Sequence, residues 1–195
     1  MGLSIYYSGK FKQGASLENM IDEVREIAKT YNWQYHVFET SFPESGFDKH
    51  YTDKIYGISF SAPECEPVAL TFLSNGRMCS VISFLSFANS TNKDFQKYLY
   101  MLSTKTQFAG ENVHKLIIRI LRYISKKYIR NFKLTDEGLY WETGDEKVLG
   151  ENFKKYTDLM DLVTGTLQNL PLKPGETFEE YFKRLIKIVD KKRRK

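Results

Sequence analysis

Residues 68–84 read VALTFLSNGRMCSVISF, and the reading of this stretch decides the fold class. Val68 to Leu73 is an apolar run with the residue types that favour extended backbone. Asn75-Gly76 follows at once, and both residues tolerate the positive φ of a tight type I′ turn. Met78 to Phe84 is then predicted to return as the second strand of a hairpin. A hairpin requires antiparallel pairing, so a purely parallel sheet is ruled out from this point.

Upstream, Ile55 to Ser61, Tyr35 to Glu39 and Leu3 to Tyr7 carry strand patterns. Between the last two, Ser16 stands where a helix N-cap belongs, with Glu18 in the first turn. Leu17, Met20, Ile21, Val24, Ile27, Ala28 and Tyr31 follow as one apolar stripe. Downstream, a ragged strand is expected within Tyr98 to Phe108. A long amphipathic helix follows, with Val113, Leu116, Ile117, Ile120, Leu121, Ile124 and Tyr128 on one face. Phe132 to Thr135 and Leu139 to Glu142 read as strands around an Asp136-Glu137-Gly138 turn. Leu149, Phe153, Tyr156, Met160, Val163 and Leu167 make another helical stripe. Pro171 and Pro174-Gly175 end it. Thr177 with Glu180 is a capping box, opening a last helix whose inner face is predicted to be Phe178, Phe182, Leu185 and Val189.

The fold class is therefore α+β: a mixed or antiparallel sheet, helices packed on one face, and a helical C-terminal pair. Residues 1–170 form one compact domain. Asn-x-apolar helix starts near Asn19 and Asn112 allow an internal duplication of a strand–helix–strand unit, with halves 1–86 and 95–147. Residues 171–195 add the C-terminal helix and its basic tail.

Composition sets outer bounds. The chain has 195 residues, of which 42% are hydrophobic and 15% aromatic, too many for a chain that avoids burial. Apolar runs such as that around Leu116 to Leu121 are broken by Lys or Arg well short of a membrane span. Cys65 and Cys79 are too few for a disulfide scaffold or a structural zinc site. No charged-then-apolar leader precedes the first strand, and a cytoplasmic location is the expectation. Most of the net charge of +5 sits from Glu176 to Lys195, where eight Lys and Arg face four acids. That tail, Lys191 to Lys195 above all, suggests at most a weak tether to nucleic acid or an anionic membrane.

There is no phosphate-binding glycine loop and no Gly-x-Ser-x-Gly elbow. His36, His50 and His114 lack ligand spacing, so neither a cofactor nor a metal is expected. Catalysis would have to draw on Glu64 and Glu66, which share a side of the Pro63–Pro67 link, and on His114 with Asp136, Glu137 and Glu142. His114 borders an apolar stripe, so a ring nitrogen needs an internal partner. A backbone carbonyl, a tyrosine or a water in a closed site is expected, and a carboxylate would instead resemble an oriented general base. The aromatic sets Tyr6-Tyr7, Tyr31-Trp33-Tyr35 and Tyr98-Tyr100 are the other functional signal, since rigid rings suit binding surfaces. The leading expectation is a non-catalytic binding or protein-interaction module. A small hydrolase or metal-assisted enzyme, and nucleic-acid binding through the tail, are the alternatives.

Overall fold

The computed structural model describes residues 2–48, 54–88, 90 and 92–193. His50, Arg194 and Lys195 lie outside the described residues. The chain runs β1 (Ser4–Phe11), α1 (Leu17–Thr30), β2 (Gln34–Val37), β3 (Tyr56–Ser61), β4 (Val68–Phe72), α2 (Val81–Phe87), α3 (Lys93–Tyr98), β5 (Leu102–Lys105), α4 (Gly110–Tyr128), β6 (Ile129–Asp136), α5 (Tyr140–Thr143), α6 (Glu146–Asn169) and α7 (Phe178–Arg193). The expected α+β class holds. Two three-stranded antiparallel sheets, β5-β1-β6 and β2-β3-β4, carry the helices, and α6 and α7 form the C-terminal pair.

The 68–84 stretch joins the two sheets. Gly76 takes φ +74°, its N–H meets the Leu73 carbonyl, and Leu73 in turn donates to Arg77. The loop thus holds three residues rather than two, and Asn75 keeps a negative φ. The returning segment is short. Phe72 bridges Met78 on one side, while Lys10 of β1 bridges Arg77 on the other.

The strand expected over Met78 to Phe84 is corrected to helix α2. Ser80 accepts a hydrogen bond from the Ser83 N–H and starts the helix, which turns Phe84 into a small satellite core with Leu73, Cys79 and Leu99. Leu139 to Glu142 is corrected likewise. Tyr140 and Trp141 give their N–H groups to the Asp136 carboxylate, and α5 winds there instead of a strand. Helix α3 follows α2, its N-terminus capped by the Asn92 side chain. Tyr98 to Phe108 contributes only the short β5.

The main core lies between the sheets and the two long helices. Met20, Ile21 and Val24 of α1 meet Ile117, Leu121 and Ile124 of α4 over Ile5, Tyr7, Ile58 and Phe60. Glu23 on α1 binds Lys127 and the Tyr128 hydroxyl and ties the helices together at their rims. The C-terminal pair is different. On α6 only Leu149, Phe153 and Thr166 are buried, and α7 contributes only Leu185 and Val189. The pair is an arm whose base joins the body and whose far end has little core of its own.

Candidate functional site

The helix α4 and the end of β6 bring His114 and Asp136 together. Nε2 of the ring donates to the carboxylate at 3.0–3.1 Å, and Nδ1 lies 2.7 Å from the Thr106 hydroxyl. Nδ1 accepts from that hydroxyl when the ring is neutral. This corrects the expected partner, which was a carbonyl, tyrosine or water: the partner is a carboxylate. The other half of the expectation stands, because the site is closed. Both side chains are 0% exposed. Phe153 packs edge-on against the ring, and Gly138 leaves no room above it, since a Cβ there would lie 2.6 Å from Leu149 and 3.0 Å from Nε2.

Asp136 does more than orient the ring. Its two oxygens accept N–H groups from Gly138, Tyr140 and Trp141, which fixes the turn and starts α5. Burial pushes its pKa up, but the hydrogen bond and attraction of His114 and these backbone donors outweigh that. The carboxyl therefore titrates below its ordinary 3.8.

The remaining acids do not converge on the ring. Glu137 accepts the Ser4 N–H at 2.7 Å, and Glu142 accepts the Asp136 N–H. Glu64 is exposed in the left-handed region at φ +56°. Glu66 accepts the Lys105 N–H from the far side of β5. Burial pushes the thiols of Cys65 and Cys79 up to about 12, and neither is paired. Among the described residues, no group of three or more His, Cys, Asp or Glu could hold a metal ion, and no helix is long and apolar enough to cross a membrane.

The aromatic sets divide by strand alternation. Tyr7 is buried and its hydroxyl accepts the Ala69 N–H, while burial raises its pKa to about 12; Tyr6 is exposed on the other face. Trp33 is buried in a stack between Tyr31 and Phe60, leaving Tyr31 and Tyr35 outside. Tyr98 is exposed, and Tyr100 lies under the Arg77 guanidinium.

The arm carries a run of exposed apolar side chains. Phe178 and Phe182 were expected on the inner face of α7, and this is corrected: they are 76% and 51% exposed, with Ile186 at 58%. Leu185 and Val189 are the buried residues among the described side chains of α7. Lys192 reaches the Thr166 hydroxyl, so α7 ends level with Thr166 and leaves the same side of α6 open before it. There a groove of about 660 Å³ runs along Tyr156, Leu159 and Leu162, closed on one side by Glu137 and Leu139. Leu139 is held at φ +60° with its side chain 44% exposed, a strained backbone for a leucine. Neither His114 nor Asp136 lines this groove.

The sequence held a signal for the arm. At 100° per residue the apolar positions of α7, from Ile188 and Tyr181 round to Phe182 and Ile186, span roughly 160°, more than one packed contact needs. Searches against models of known protein families, curated proteins and solved structures find no match to this chain.

Proposed function

We propose that the protein is a non-catalytic, cytoplasmic interaction module that associates through its α6–α7 arm, and that the arm's apolar surface takes a second copy of the chain. The observation that supports this reading is the exposed stripe Phe178, Phe182 and Ile186, one turn apart on one helix, beside the open groove on α6. Two-fold symmetry lets each copy lay its α7 stripe into the other's α6 groove, so one patch serves both sides. The charges agree. α6 carries Glu146, Glu151, Asp158 and Asp161 against three lysines, whereas α7 is strongly basic.

Full burial of each such side chain is worth roughly 1.5–3 kcal/mol. At the middle of both ranges, six of them exceed an association cost of about 4–15 kcal/mol by about 4 kcal/mol, which places the dissociation constant near the millimolar range. The result is a four-helix arrangement of a kind that short hairpins commonly need for stability. Two free thiols, one of them buried, suit a reducing compartment. The enclosure of His114 supports a structural role for the His114–Asp136 pair.

A mixed sample tests the contact directly. One copy carries labelled methyl groups and the other labelled aromatic rings. NOEs are expected between the rings of Phe178 and Phe182 in one copy and the methyls of Leu139, Leu159 and Leu162 in the other. Arm resonances that show only intramolecular NOEs in a concentrated sample contradict the reading.

A further inference from the structure

Strand alternation puts Tyr6, Ser8 and Lys10 of β1 on the outer face of β5-β1-β6, opposite the buried Ile5 and Tyr7. Lys10 pairs directly with Arg130 of β6 on one side and with Arg77 on the other. Directly opposed residues in an antiparallel pair share a face, so three cations stand in one row across three neighbouring segments.

A bulge then adds a fourth. The register of β6 against β1 shifts between Ser8 and Lys10, where Gly9 of β1 faces both Asn131 and Phe132 of β6. Asn131 absorbs the extra residue at φ +52°. Without the bulge, Lys133 and Arg130 would point to opposite faces. With it, both join Lys10 on the outer face, and Phe132 turns inward toward Tyr7.

Among the described residues, no carboxylate pairs with Lys10, Arg77, Arg130 or Lys133. Partial desolvation, with repulsion from Arg130 and Arg77, holds the Lys10 ammonium below its usual pKa. Like charges directly opposed in a ladder are destabilising. The row therefore works against folding unless something of opposite charge sits on it. The space for it exists: a groove of about 370 Å³ is lined by Ser8, Lys10, Arg77, Tyr100, Asn131 and Lys133. The Arg77 guanidinium carbon lies over Tyr100, 3.3 Å from the ring centre, and the two residues form one wall of the groove.

We propose that this groove binds a small ligand bearing a diphosphate or equivalent multiply charged phosphate group. Lys10, Arg77 and Lys133 line the groove, with Arg130 paired beside Lys10 on β6, and three cations that close exceed what one carboxylate neutralises. The groove's volume falls within the range that suits a small molecule. A nucleic-acid strand fits less well, because the next row along the sheet is Ser103, Tyr6 and Thr135, with no charge to meet the following phosphates. The site lies on β1, β6 and the Gly76–Met78 turn, and it shares no residue with the arm.

Calorimetric titration of the full chain with inorganic pyrophosphate, at low and at physiological salt, tests this. One site per chain is expected, with affinity falling at least tenfold in Lys10→Gln, Arg77→Gln and Lys133→Gln. The ligand-free Lys10→Gln protein should melt higher than the parent by about 1–3 °C, because it loses a like-charge neighbour. Binding lost together with stability gained distinguishes a built site from a damaged fold. Three outcomes overturn the proposal: no pyrophosphate binding at millimolar concentration, equal binding by the parent and all three variants, or a single-stranded oligonucleotide that binds far more tightly than pyrophosphate and displaces it.

Discussion

Asp136 is one carboxylate with four partners: the His114 ring and the N–H groups of Gly138, Tyr140 and Trp141. Removing its charge leaves a buried imidazole and a helix start without their acceptor. Asp136→Ala is expected to destabilise the protein by about 3–5 kcal/mol in urea unfolding, the usual loss when one member of a buried pair goes. Asp136→Asn should lose less, since one amide oxygen still accepts. The pH dependence follows from the depressed carboxyl. In the unfolded chain the group titrates near 3.8 and in the fold below that. Its stabilisation is thus complete above about pH 4 and is lost as pH falls through the folded value. The gap between parent and Asp136→Asn should shrink below pH 4, and a gap that persists unchanged to pH 2 would contradict the assignment. The sequence made His114 and Asp136 visible as candidates, because helical spacing placed the ring beside the apolar stripe. It could not pair them, since the contact depends on how β6 returns beside α4.

Local chemistry made some elements readable and tertiary packing decided others. The Thr177–Glu180 capping box is formed in both directions, and Ser16 caps α1 as its position implies. The α4 stripe buries Ile117, Ile120, Leu121 and Ile124. By contrast, residues 81–87 are β-branched and aromatic, and propensity favours a strand there. A helix wins because Ser80 caps it and Phe84 finds the satellite core. Ser80→Ala should therefore cost about 1 kcal/mol in denaturant unfolding. A change within experimental error would mean that packing alone holds α2. On α7 the stripe was legible, but not which part of it faces the body. Leu185 and Ile186 lie about 100° apart on an arc too wide for one neighbour.

At the scale of the whole molecule, two small sheets share a core, and the arm extends beyond it with its widest apolar face uncovered. The cluster of cations on β1, β6 and the turn was unreadable in sequence because its members come from three places in the chain and meet through a bulge. The arm carries the central claim, that the chain works by association. Sedimentation equilibrium of the full chain over roughly 10 μM to 2 mM tests it most directly, since that range reaches a millimolar dissociation constant. The mass should rise with concentration from 22.9 kDa toward twice that value, and Phe178→Asp with Phe182→Asp should hold it at 22.9 kDa throughout. A parent chain that stays at 22.9 kDa across the whole range, or a dimer that the two substitutions leave intact, would contradict the account.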